Sequence, residues 1–131
     1  MSHPDFDKVL DQILTQDPRY AREAYGFLRE ALDYTQKMIS QGNPELVRHV
    51  TGRELLEGIR EFALSQFGPM TLPVFEAWGI HRGEDFGEIV FNLVDHGFLN
   101  KTEQDSRKDF QDAYNFHDAF RKPFLPSRKL S

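Results

Sequence analysis

Residues 88–110, EIVFNLVDHGFLNKTEQDSRKDF, decide how the fold is read. Ile89, Val90, Leu93 and Val94 recur at helical spacing, and Gly97 stops the run. Phe98 and Leu99 then read as the start of a short strand. Residues 103–106 make a polar turn, and a return strand is expected around 107–112. An amphipathic helix, a glycine stop and a charged hairpin, in that order, is how a winged helix ends.

The other helices expected of such a unit lie upstream. Thr51-Gly52-Arg53-Glu54 is a capping box, T-x-x-E, and it opens a helix carrying Leu55, Leu56, Ile59, Phe62 and Ala63. Gly68-Pro69 stops it. A short helix over about 71–78 holds Leu72, Val74, Phe75 and Trp78, with Trp78 assigned to the core in preference to a contact with another chain. The next helix, about 83–96, adds Phe86 to the apolar face. Gly87 inside it marks a close approach, because glycine within a helix costs about 1 kcal/mol relative to alanine.

Residues 42–50, GNPELVRHV, are punctuated by Gly, Asn and Pro. They read as an internal boundary, or as an ordered loop with Leu46 and Val50 tucked in. Before them, Phe6, Val9, Leu10, Ile13 and Leu14 share one helix face over about 5–16. Pro18 suits the first position of a second helix with Asp17 as its cap. That helix carries Tyr20, Ala24, Phe27, Leu28, Ala31, Thr35 and Met38, and ends near Gly42. At the other end of the chain, residues 115–120 form a last helical turn. Phe116, Phe120, Phe124 and Leu125 are expected to seal the core.

The expected fold is mainly α with minor β, in one domain over 1–131. A helical hairpin (5–42) packs on a winged-helix-like unit with a small two-stranded β-wing (51–112). A C-terminal segment with a basic tail (113–131) completes the chain.

A chain of 131 residues can bury a core without staples, and 39% hydrophobic with 28% charged residues places it among globular domains. Twelve Phe point to an aromatic-rich core. The absence of cysteine excludes disulfides, thiolate metal sites and cysteine nucleophiles. No apolar run approaches the roughly 18–20 residues that span a bilayer. The opening MSHPDFDKVL has no signal-peptide pattern, so a cytoplasmic protein without membrane contact is expected. A net charge of −5 gives no general attraction for nucleic acid.

Several segments together resemble a known group. They are DPRYAREAYGFLREALDYT (17–35), RHVTGRELLEGIREFALSQFGPM (48–70), AWGI (77–80), EDFGEIVFNLVDHGFLNKTEQDSRKDF (84–110) and AFRKPFLP (119–126). These are similar to a small uncharacterised bacterial family known only by a locus-tag style name. The resemblance covers about 5–126 and implies a stand-alone cytosolic protein of this length, with 5–126 as one unit. No activity, cofactor or catalytic residue comes with it.

Charge then sorts the function classes. In 82–97, Arg82 stands against Glu84, Asp85, Glu88 and Asp95, a formal −3. With the apolar residues on the core, Glu84, Asp85, Glu88, Asn92 and Asp95 are expected to face solvent. A groove-reading helix brings arginine or lysine to phosphates, whereas this one brings carboxylates. The expected wing, 98–112, is also acidic, at −1. The counterweight is the tail, where Arg121, Lys122, Arg128 and Lys129 give +4 with no acid over 119–131.

His3, His49, His81, His96 and His117 are scattered, with no H-E-x-x-H, so no metal site is expected. Glu54, Glu57 and Glu61 with Arg53 and Arg60 read as a solvated stripe with local ion pairs. No G-x-S-x-G, phosphate loop or dinucleotide fingerprint is present, and no cofactor is expected.

The leading expectation is a non-enzymatic protein-interaction or regulatory adaptor. Its acidic helix would meet a basic protein partner, and its hairpin suits a homodimer. The alternative is a DNA-associated transcriptional regulator that touches DNA through the basic tail or a dimer surface. A third is a small enzyme with an unrecognised carboxylate or histidine site.

Overall fold

The computed structural model describes residues 5–41, 50–99, 110 and 114–125. Among these residues the order is α1 (Phe6–Gln16), α2 (Arg22–Ser40), α3 (Gly52–Phe67), α4 (Thr71–Ala77) and α5 (Gly83–Asp95). A 3₁₀ turn, Gly68–Met70, links α3 to α4. A π-helical turn, His117–Arg121, runs into a 3₁₀ turn, Lys122–Phe124. The mainly α class is thus the observed one. None of the described helices is long and apolar enough to cross a membrane.

Local signals account for where the helices begin. The Asp5 carboxylate accepts from the Asp7 amide at 2.9 Å and caps α1. At α3 the reciprocal capping box forms, with Thr51 N–H donating to Glu54 at 3.0 Å and Glu54 N–H donating to Thr51 Oγ1 at 3.2 Å. The second helix departs from expectation. It starts at Arg22 with Ala21 as its cap residue, so Pro18 and Tyr20 lie outside it. The Asp17 carboxylate is instead taken by the Arg19 amide and guanidinium. The helix ends at Ser40, with Gln41 left-handed at φ 55°. Gly42 lies outside the described residues, as do Leu46 and the rest of 42–49.

Among the described residues the expected β-wing is not seen. Gly97 adopts φ 78°, and its amide donates to Val94 O at 3.0 Å. The amides of Phe98 and Leu99 both donate to Leu93 O, at 2.9 and 3.3 Å. This is a Schellman-type helix cap, and it takes the N–H groups that a strand would offer a partner. The Phe98 ring packs on Phe6 at 4.8 Å, with the Arg29 guanidinium over both rings. Capping and ring contacts therefore hold Phe98 against α1 and α2. Phe110, expected in the return strand, is helical. The remainder of the expected wing, 100–109 and 111–113, lies outside the described residues.

The core is aromatic, as the phenylalanine count foretold. Phe75 has no exposed surface and makes edge contacts with Phe86 at 5.3 Å and Phe120 at 5.2 Å. It also touches Phe27 at 5.6 Å and Phe116 at 5.8 Å. The C-terminal turn thereby closes the base of α4 and α5. Phe124 and Leu125 do not join it; they are 44% and 49% exposed.

Helix α2 packs chiefly on α3. A β-carbon added at Gly58 would collide with Thr35 Oγ1 and lie 2.8 Å from Thr35 Cβ, so the Thr35 side chain lies on the Gly58 backbone where no side chain on α3 fits. Gly26, on the same helix as Thr35, is the opposite case: an added β-carbon meets nothing within 4 Å. Gly58→Ala is expected to destabilise the chain by about 1–3 kcal/mol, because overpacking outweighs the gain in helix propensity. Gly26→Ala should stabilise it by up to about 1 kcal/mol. Urea midpoints of both variants check this, and a Gly58→Ala chain as stable as the parent would contradict the contact.

Candidate functional site

The acidic residues of α5 are only partly available. Asp85 accepts from the Tyr20 hydroxyl at 2.7 Å, the His81 amide at 2.7 Å and the Arg82 amide at 3.2 Å. Glu88 accepts from Arg19 Nη2 at 3.2 Å. Asn92 Nδ2 donates to Asp17 Oδ2 and to the Tyr25 hydroxyl, both at 3.0 Å. The expectation that these three side chains face solvent is therefore corrected: they face the loop between α1 and α2. Glu84 is half-buried and Asp95 is exposed.

This loop forms a polar clasp. Arg19 grips Asp17 through Nε at 2.8 Å and Nη2 at 2.7 Å, and reaches on to Glu88. The guanidinium beside Asp17 holds its carboxyl well below the usual carboxylate range, although partial burial works the other way. The same pairing raises Arg19. Burial, then the bond to Asp85, pushes the Tyr20 phenol up. Burial likewise raises Tyr25 and Tyr114, the latter donating to Leu56 O at 2.7 Å. Each shift traces to burial or to a partner within the chain, which is how a fastening behaves. The loop backbone is fixed as well: Ala21 N–H donates to Trp78 O at 3.1 Å. Gly79, at φ 87°, lies where a β-carbon would collide with Arg19 O.

The other residues singled out in the sequence are spread apart. Glu54 serves the α3 cap, Glu57 pairs with Arg60 at 3.0 Å, and Glu61 accepts from Tyr34 at 3.5 Å. His96 Nδ1 lies 3.0 Å from Asn92 O. Among the described residues no three His, Asp or Glu side chains converge as a metal site would require. Arg121 and Lys122 are exposed, while Arg128 and Lys129 lie outside the described residues.

An open groove runs along the outer seam of α2 and α3. At one end it encloses about 400 Å³ and is floored by Phe27, Phe62, Phe67 and Trp78. The rings form one sheet of contacts: Phe27 lies 5.5 Å from Phe62, 5.7 Å from Phe67 and 5.6 Å from Trp78. Phe62, Phe67 and Trp78 are half-buried. Trp78 is thus both a core neighbour and a surface residue. Glu23 and Glu30 stand on the rim, exposed and without an ion pair among the described residues. Gly26 forms the notch between them. The groove continues past Gly26 and Phe62 towards Phe6 and Tyr34. There the charges are engaged, Lys37 with Asp33 at 3.0 Å and Arg29 over the rings of Phe6 and Phe98.

On the other side of the α2–α3 seam is a cavity of about 240 Å³, lined by Leu32, Val50, Leu55, Val90, Val94 and Phe98 among others. Its polar members are Gln36 and Thr51, and the Thr51 hydroxyl is committed to the α3 cap.

No protein family, curated protein or solved structure matches the chain.

Sequence reasoning missed the groove and the clasp partners Arg19 and Tyr25. A signal for the groove was present in Gly26, a glycine in mid-helix flanked by Glu23 and Glu30 at i−3 and i+4.

The clasp has a pH signature. Folded Asp17 stays ionised at pH values where an unfolded aspartate, with a pKa of about 3.9, has taken up a proton. Its stabilisation is therefore complete above that ordinary value and is lost as the pH falls below it, towards the depressed folded value. The melting-temperature gap between the parent and Asp17→Asn should be constant above about pH 5 and shrink below about pH 4. A gap that does not change across this range would show that the Asp17 charge contributes nothing.

Proposed function

We propose that the protein is a non-enzymatic protein-interaction adaptor that receives its partner in the groove along α2 and α3. The observation that carries this reading is the half-buried aromatic floor of Phe62, Phe67 and Trp78 in an open groove. Rings half-covered by their own chain gain most from a second chain that completes the burial. Gly26 supports it independently. The glycine costs helix stability, no neighbour among the described residues requires it, and the space it leaves lies in the groove.

We take the scaffold to be a helical hairpin on a winged-helix-like unit; its mainly α class is observed, and most of the expected wing lies outside the described residues. The partner face moves from α5 to α2 and α3, because Asp85, Glu88 and Asn92 are engaged by the clasp. The DNA-associated alternative keeps one supporting observation, the exposure of Arg121 and Lys122.

A photo-crosslinking amino acid in place of Gln66, an exposed residue of the groove lining, should capture a protein in the native cell, and the same group in place of Asp95 should not. Capture from position 95 alone would return the partner face to α5. Tight binding of mixed-sequence duplex DNA that weakens steeply with salt would replace the adaptor reading by the regulator one.

A further inference from the structure

The two ends of the groove differ in charge, and that difference selects a partner. Towards Phe6, acid and base neutralise each other, with Lys37 on Asp33 and Arg29 stacked over Phe6 and Phe98. Towards Trp78, the described lining residues include the carboxylates of Glu23 and of Glu30, which borders both ends, and no lysine or arginine. Two negative charges, neither in an ion pair among the described residues, stand above four aromatic rings. A cation placed there gains from the carboxylates and from the ring faces together. A lysine or arginine does so while its aliphatic stem covers the apolar floor. Anionic partners are repelled by the same rim, and the net charge of −5 extends that preference to the approach. Glycine at position 26 leaves room between Glu23 and Glu30 for a side chain to enter from outside.

We infer that the Trp78 end of this groove is a receptor for an amphipathic, lysine- or arginine-bearing segment of a protein partner. The inference rests on the adaptor reading and adds the chemistry of the partner. The segment sets apolar residues on Phe62 and Phe67 and a cationic side chain over Trp78, between Glu23 and Glu30.

Trp78 is the only tryptophan, so it reports on the site directly. The probe is a tryptophan-free helical peptide of leucine and lysine, compared with a leucine and glutamate peptide of the same length. The leucine–lysine peptide should shift Trp78 emission saturably. Gly26→Leu, which fills the notch without changing charge, should weaken that binding about tenfold or more while leaving the melting temperature equal or higher. Glu23→Gln with Glu30→Gln should weaken binding and flatten its salt dependence.

Binding that ignores both sets of substitutions is general attraction to an acidic chain and overturns the proposal. Equal binding of the leucine–glutamate peptide, with the same dependence on Gly26, overturns the basic-partner inference and leaves groove docking standing. If neither peptide binds while crosslinking from position 66 still captures a protein, the inference fails and the adaptor reading survives. Loss of both readouts removes both.

Discussion

Everything else in the fold depends on how closely α2 approaches α3, and that distance is set where Thr35 meets Gly58. Thr35 is 3% exposed, and its hydroxyl bonds back to Ala31 O at 2.7 Å. Its remaining surface lies directly on bare backbone at Gly58. A side chain on α3 at this point would wedge the helices apart. On one side of the seam the close approach brings Phe27 within 5.5 Å of Phe62 and Tyr34 within 5.3 Å of the same ring. On the other side it brings Leu32 and Leu55 into one cavity wall. The groove and the cavity are the two flanks of a single helix crossing, and both change if the crossing opens.

The second constraint is polar. The turn Asp17-Pro18-Arg19-Tyr20 is held to α5 by four side chains, Asp17, Arg19, Tyr20 and Asn92, acting on one another and on Asp85 and Glu88. Exposed ion pairs contribute little singly, but here they join buried tyrosines and backbone groups in one network. The network also positions the groove. Trp78 O accepts from Ala21 N–H, and Gly79 lets the chain pass close beneath Arg19. The residue that ends the aromatic floor is thus anchored by the same loop that engages Asp85 and Glu88 of α5.

Much of the helical content was legible. The run Phe6, Val9, Leu10, Ile13, Leu14 gave α1 to within a residue, and T-x-x-E gave the start of α3 with its cap geometry. Gly97 reads as a helix stop in the sequence and is one in the structure. The path of Phe98 and Leu99 beyond it was not legible. Period-2 signals are weak over two residues, and both amides bond to Leu93 instead of to a strand. The start of α2 was missed because Asp17-Pro18 is a good helix opening in isolation. Arg19 competes for the Asp17 carboxylate, and Asn92, 75 positions along the chain, completes its hydrogen bonding.

The sequence by itself determined roughly where α1 to α5 lie, which face of each is apolar, and that the core is rich in phenylalanine. These properties come from periodicity and capping, which act over three or four residues. Only the tertiary structure decided what each polar face and each glycine is for. Asp85 and Asp95 both count as solvent-facing acids when α5 is taken alone, yet one is bonded to Tyr20, 65 positions away, and the other is exposed. Gly26, Gly58 and Gly87 are three identical helical glycines in the sequence. Gly58 accommodates Thr35, Gly87 accommodates the ring of Phe110, and Gly26 faces open space. The difference lies in what another part of the chain places opposite, and no local spacing encodes that.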